Sequence, residues 1–118
     1  MQRRIYLASP YTDADSRLRE ARYWAACSAA ALIMEQGDLV FSPIAHSHPL
    51  AKLHELPVDF DFWQSWCLSF LRNWATHFTI LDIPGWEESK GIAAEKALAD
   101  SLGLPVIPWT DFLEQEDE

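Results

Sequence analysis

The stretch FTILDIPGWEESKGIAAEKALADSLGLPVI, residues 78–107, contains the pattern that decides the fold. An apolar run at 78–83 is followed by a polar loop, and a helical segment at 90–102 then ends at Gly103. Glycine is the commonest residue just past the C-terminus of a helix. A second apolar run follows at 105–107. The order strand, helix, strand predicts two parallel strands joined by a crossover helix.

The rest of the chain repeats this alternation. Apolar runs predict strands at 4–8 and 39–41, and polar caps with helical spacing predict helices at 15–36, 61–74 and 110–113. The strands are mostly apolar without strict alternation, which is typical of a parallel sheet with helices on both faces. We therefore expect an α/β fold.

The segment 43–60 has no clear period and is predicted to be the longest irregular segment. It contains three prolines and three histidines. The histidine spacing matches no established zinc pattern, so we expect no metal site.

Length and charge limit the classes of protein. At 118 residues and a net charge of −9, we expect one domain at 1–113 followed by an acidic tail at 114–118, and no nucleic-acid polymer as partner. No apolar run approaches the ~20 residues of a membrane span. Without a signal peptide or a metal pattern at Cys27 and Cys67, we expect a cytoplasmic protein.

Polar and aromatic residues follow each of the first three predicted strands. Ser9 follows the first strand, Ser42 and His46 follow the second, and Trp86 lies in the loop after the third. The carboxyl ends of parallel strands open on one edge of a sheet, so these side chains are expected to line one ligand site, with Trp86 as a platform for a base. The alternative is that the serines are ordinary turn and cap residues.

Glu95 follows Ser89 by six residues at the start of a predicted helix that includes Gly91. Unpaired N–H groups at a helix N-terminus favour an anion such as phosphate. A carboxylate one turn further along the helix can attack an anomeric carbon. The alternative is that Glu95 is one more solvated carboxylate on a helix surface.

Three motifs resemble the nucleoside 2-deoxyribosyltransferase-like superfamily, and more closely its small bacterial branch DUF1937, near DUF4406. They are the run IYLASPY at 5–11, the turn SPI at 42–44 and the run GWEESKGIAAE at 85–95. The resemblance covers nearly the whole chain. It implies a flavodoxin-like three-layer sandwich with a parallel sheet of four to five strands, and chemistry at an N-glycosidic bond without a cofactor.

The resemblance also implies roles for single residues. Glu95 matches the superfamily's nucleophile, and Tyr6 matches a tyrosine that lines the site. Transferases that act on free nucleosides carry an aspartate where this chain has Ser89. The 2′-deoxynucleoside 5′-monophosphate N-hydrolases have a serine there that contacts the phosphate, so Ser89 and the region of Gly91 favour a ligand with a 5′-phosphate.

One departure from the superfamily leaves alternatives open. The middle helix lacks the aspartate that protonates the departing base, and Asp61 or Asp59 would have to replace it. Without such an acid, the protein would bind a nucleotide or nucleotide-sugar without processing it. A third hypothesis is a structural oligomerisation protein, based on the tryptophans of the helix at 61–74. Since related proteins oligomerise, we expect a homo-oligomer.

Overall fold

The computed structural model describes residues 2–114, so the predicted acidic tail lies outside the described residues apart from Glu114. The described chain alternates strands and helices in the order β1 (Arg4–Ala8), α1 (Ser16–Glu35), β2 (Leu39–Phe41), α2 (Pro43–His54), α3 (Phe60–Asn73), β3 (His77–Ile80) and α4 (Lys90–Ser101). Short 3₁₀ helices lie at Trp86–Glu88 and Trp109–Leu113. The predicted α/β class is confirmed.

The described sheet has three strands rather than the predicted four to five. Its order is β2-β1-β3, and both neighbouring pairs are parallel. The predicted strand at 105–107 is reduced to one parallel bridge between Phe78 and Val106. Pro105 has no N–H group, so it cannot donate the ladder hydrogen bond that would extend the pairing on the N-terminal side of this bridge.

Helices pack on both faces of β1, because successive side chains of a strand point to opposite faces. Leu7 packs in a cluster with the buried alanines of α1, and Ile5 packs with Ile33 of the same helix. On the other face, Tyr6 and Ala8 join a cluster that is completed by buried residues of α2, α3, α4 and β3. The core therefore holds the end of β1 rigidly between helices.

Helix α2 occupies most of the segment that was predicted to be irregular, so that prediction was wrong. The Ser42 hydroxyl caps the helix by accepting a hydrogen bond from the Ala45 N–H at 3.2 Å. Pro43 occupies the first turn, where its missing N–H costs no helical hydrogen bond. Pro49 lies inside the helix, and the helix ends at Glu55, whose φ is 56°. The prolines that suggested a loop are tolerated by this helix.

Among the described helices, none is both long enough and apolar enough to cross a membrane.

Candidate active site at the carboxyl ends of the strands

A cavity of about 530 Å³ lies at the carboxyl ends of the parallel strands. Its wall is formed by the segment after β1, the first turns of α2, the chain entering α3, and the loop between β3 and α4. The connection after β1 leads to β2 on one side of β1, and the connection after β2 leads to β3 on the other side. Ligands of open α/β sheets bind in crevices at such positions.

Glu95 is a buried carboxyl group on the wall of this cavity. It is only 4% exposed, and it accepts a hydrogen bond from the Tyr6 hydroxyl through Oε2. Burial raises the pKa of Glu95 from 4.5 to about 8, and the hydrogen bond from Tyr6 opposes part of that rise. Burial disfavours the charged carboxylate, so a ligand that develops positive charge nearby would stabilise its ionised form.

Tyr6 and Cys67 surround the Glu95 carboxyl with neutral groups. The Tyr6 ring is fully buried, and it stacks on Phe78 with ring centres 5.9 Å apart. Burial, followed by the charge of Glu95, raises the pKa of Tyr6 well above 10. The same two causes, burial first, raise the pKa of the Cys67 thiol to about 12. Both groups therefore stay protonated at neutral pH.

The N-terminus of α4 contributes a second part of the wall. Ser89 caps this helix, and its Oγ accepts a hydrogen bond from the Ile92 N–H at 3.1 Å. Ser89, Lys90 and Gly91 all line the cavity. A Cβ at Gly91 would lie 3.0 Å from Cδ1 of Phe60, another lining residue, so glycine allows the helix to approach that ring.

Arg22 is a cationic residue of the wall that the sequence interpretation missed. It extends from α1 and donates from Nη1 to the backbone oxygens of Tyr11 and Thr12, at 3.3 and 3.2 Å. Its guanidinium lies against Gly85, where a Cβ would come within 2.3 Å of Nη2. The φ of Gly85 is 97°, which favours glycine. The only sequence signal for this contact is a glycine in the loop after β3.

Two further predicted residues lie at the cavity. Ser9 is 7% exposed, and its Oγ has no hydrogen-bond partner within residues 2–114. Asp61 lies exposed on the first turn of α3, and its neighbour Asp59 precedes that helix. All three residues line the cavity, so the structure brings them together with Ser89, Gly91 and Glu95.

Four predicted residues are not part of the described cavity wall, and one of them is Tyr6, which reaches the wall only through its hydrogen bond to Glu95. The Ser42 hydroxyl is used as the cap of α2. His46 is exposed and lies against Phe41 and Trp63, with ring centres 5.9 and 6.4 Å away. Trp86 is half-buried and packs against the core cluster that includes Tyr6.

The described residues include no group of three or more His, Cys, Asp or Glu side chains that could hold a metal ion. The cavity is lined by carboxyl, hydroxyl, guanidinium, ammonium and thiol groups together with apolar side chains such as Phe60 and Trp63.

Fold and cavity together define an α/β protein with a cavity at the carboxyl edge of a parallel sheet. The family model described as domain of unknown function (DUF1937) matches residues 3–111. The chain belongs to this family. No curated protein matches the chain at significant similarity.

Proposed function

We propose that the protein cleaves the N-glycosidic bond of a (deoxy)nucleoside 5′-monophosphate or a related N-glycoside, or transfers its glycosyl group, with Glu95 as the nucleophile. The observation that carries this proposal is the burial of Glu95 on the cavity wall with the Tyr6 hydroxyl bonded to one carboxyl oxygen. The proposal places the family within the nucleoside 2-deoxyribosyltransferase-like superfamily.

The strand order supports a flavodoxin-like three-layer sandwich, which forms part of the proposal. The order β2-β1-β3, with Val106 paired beside β3, follows the beginning of the flavodoxin order 2-1-3-4-5. Buried clusters on both faces of β1 support layers of helices on both sides. In this arrangement the ligand site is expected where the cavity lies.

In the proposed reaction, the ionised Glu95 carboxylate attacks C1′ as the bond from C1′ to the base nitrogen breaks. The electron pair of that bond leaves with the base. Positive charge develops on the sugar in the transition state, and a buried carboxylate stabilises it strongly because little water screens the interaction. Tyr6 remains neutral and fixes Oε2, which leaves Oε1 as the attacking atom.

The 5′-phosphate is assigned to the side of the cavity that holds the N-terminus of α4. Its N–H groups, the Ser89 hydroxyl and Lys90 favour an anion, and the Arg22 guanidinium adds a second positive charge to the wall. These local groups act against the overall negative charge of the chain. A neutral nucleoside would lose all of these contacts.

Departure of the base also requires a proton. Asp61 is the donor suggested by the sequence, and it lines the cavity, although it lies exposed at the start of α3. The α3 residue beside Glu95 is Cys67, whose thiol is held protonated by burial. A thiol in that position favours a second candidate function, a non-catalytic nucleotide- or nucleotide-sugar-binding protein.

Oligomerisation also remains a proposal. The α3 helix exposes a row of aromatic side chains that are spaced four residues apart, and these are Phe62, Trp66 and Phe70. A homo-oligomer formed through this row would cover it. Analytical ultracentrifugation of the protein and of a Trp66→Ser variant would test this, and a wild-type monomer would contradict it.

The function is tested by incubating the protein with a panel of deoxynucleoside monophosphates and with the matching nucleosides. Free base, measured by chromatography, is expected from the monophosphates and is expected to disappear in Glu95→Ala. Glu88→Ala, which removes an exposed carboxylate of the same wall, serves as the matched control and should retain activity.

The other outcomes separate the candidates. Thermal stabilisation by a monophosphate without release of base would favour the binding protein. Base release that persists in Glu95→Ala would contradict the assignment of the nucleophile. If no nucleotide is bound or processed, both functions are wrong.

A further inference from the structure

A chain of four hydrogen-bonded side chains runs from the cavity wall to the protein surface. The Tyr11 hydroxyl lies 2.6 Å from Nδ1 of His48, and Nε2 of His48 lies 2.6 Å from Oε2 of Glu20. The other oxygen of Glu20 lies 2.5 Å from Nζ of Lys52. Tyr11 lines the cavity and is 7% exposed, whereas Lys52 is exposed.

His48 in the middle of this chain is buried, whereas Glu20 is partly exposed. His48 is 5% exposed on α2, and the Tyr23 ring packs against it with ring centres 4.4 Å apart. Glu20 belongs to α1, and the interaction with Lys52 and that with His48 both lower its pKa, which keeps the carboxylate ionised. A histidine oriented by a carboxylate, with a hydroxyl at its other nitrogen, is the arrangement that catalytic triads use for proton transfer.

The protonation of His48 decides which way the Tyr11 hydroxyl points. In neutral His48, the Glu20 carboxylate holds the proton on Nε2, so Nδ1 accepts a hydrogen bond from Tyr11. In protonated His48, Nδ1–H donates to the Tyr11 oxygen instead. The hydroxyl hydrogen of Tyr11 is then available to another acceptor. Burial raises the pKa of Tyr11, against an opposing effect of Arg19, so the phenol itself stays protonated.

We infer that the departing base receives its proton from Tyr11, which is resupplied by His48 and Glu20, rather than from Asp61. The inference rests on the proposed function and names the acid that this function lacks. Asp61 is an exposed residue on the first turn of α3. Tyr11, in contrast, is connected to a buried proton carrier.

The proton and electron balance of the step is complete. As Glu95 forms its bond to C1′, the electron pair of the glycosidic bond goes to the base nitrogen, which takes the proton of the Tyr11 hydroxyl. The Tyr11 oxygen takes the proton from Nδ1 of protonated His48, which leaves neutral His48 with its Nε2–H on Glu20. In the second half, water attacks C1′ as the bond from C1′ to Glu95 breaks, and the electron pair of that bond returns to the Glu95 carboxylate. The proton of the attacking water passes to the Tyr11 oxygen as the Tyr11 hydroxyl proton returns to Nδ1 of His48.

Substrates that differ in their need for a proton test this inference. A deoxynucleoside monophosphate with a neutral base needs protonation to leave, whereas N7-methyl-2′-deoxyguanosine 5′-monophosphate carries a cationic base that leaves without it. Tyr11→Phe is expected to slow base release from the first substrate by ~10²–10⁴. It should change release from the second by less than about threefold. His48→Gln should show the same selectivity.

Two controls keep the test specific. Tyr23→Phe keeps the ring that packs on His48 and removes a hydroxyl that is not part of the hydrogen-bonded chain, so it should affect neither substrate. Glu95→Gln should stop base release from both substrates. Thermal unfolding of each variant identifies any loss of folding. Long-range ¹H–¹⁵N correlation spectra should assign the Nδ1 proton of protonated His48, and its chemical shift should change in Tyr11→Phe.

Each remaining outcome contradicts a specific statement. If the wild type releases base and Tyr11→Phe slows both substrates equally, or neither, the inference is wrong and the proposed function stands. Selective loss in Asp61→Asn with none in Tyr11→Phe also overturns it. If the wild type releases base from neither substrate, the proposed function fails and this inference fails with it.

Discussion

Replacing Glu95 by glutamine should make the protein more stable at high pH, and the effect can be calculated from the structure. Burial raises the pKa of Glu95 to about 8 in the folded protein, compared with 4.5 in the unfolded chain. Between these two values, the folded protein holds a proton that the unfolded chain has lost. The free energy of unfolding of the wild type therefore falls as the pH rises through this window.

The magnitude follows from the two pKa values. The full effect is about 5 kcal/mol, because each pKa unit corresponds to about 1.4 kcal/mol, and about 3–4 kcal/mol of it falls between pH 5 and pH 8. Glutamine has the shape of protonated glutamate and does not titrate. The Tyr6 and Cys67 groups stay protonated across this range in the folded protein.

Urea unfolding of wild type and Glu95→Gln at several pH values between 5 and 8 measures this difference. The stability of the variant relative to the wild type should increase by about 3–4 kcal/mol over that range. Glu88→Gln, on the exposed part of the same wall, should show no comparable trend. A difference between wild type and Glu95→Gln that stays constant with pH would refute the buried, protonated state of Glu95.

Two further predictions concern Tyr6, which bonds Glu95, and the glycine that packs against Arg22. The hydrogen bond from Tyr6 lowers the pKa of Glu95, so Tyr6→Phe should move the rising limb of kcat/KM against pH from a midpoint near 8 to higher pH, and an unchanged midpoint would contradict this. Gly85→Ala and Gly37→Ala both place alanine at a positive φ and should each lose about 1–2 kcal/mol of stability in urea unfolding. Only Gly85→Ala displaces the Arg22 guanidinium, so only it should weaken monophosphate binding in calorimetry, and equal affinities would contradict the assigned role of Arg22.

Cap residues predicted the starts of α1 and α4, whereas α3, whose N-cap Asp59 makes no side-chain cap hydrogen bond, was predicted from its helical spacing. The Asp15 carboxylate accepts from the Arg17 N–H at the start of α1, and Ser89 caps α4. Helix α2 was missed because prolines were interpreted as loop residues, although Pro43 occupies the position in a helix that tolerates it. The predicted fourth strand is reduced to one bridge, and on its N-terminal side Pro105 lacks the N–H group that the next ladder hydrogen bond needs.

The sequence correctly predicted cavity-lining residues that lie at the end of a strand or the start of a helix, because those places fix where a residue lies in the fold. Residues at strand ends and at the start of α4, such as Ser9 and Ser89, reach the cavity because parallel strands end on one edge. His46 does not, because α2 begins directly after β2. Arg22 and His48 were missed because they lie on helix faces, and a sequence pattern does not show which distant loop such a face contacts.

The covalent attachment of sugar to Glu95 tests the central proposal most directly. A 2′-deoxy-2′-fluoroarabinosyl nucleoside 5′-monophosphate slows hydrolysis of a glycosyl-enzyme, since fluorine destabilises positive charge at C1′. Mass spectrometry of the intact protein after incubation should show the added fluorosugar phosphate, and peptide sequencing should place it on Glu95. An adduct on another residue, or release of base from natural monophosphates without any adduct from the fluorinated one, would contradict the account.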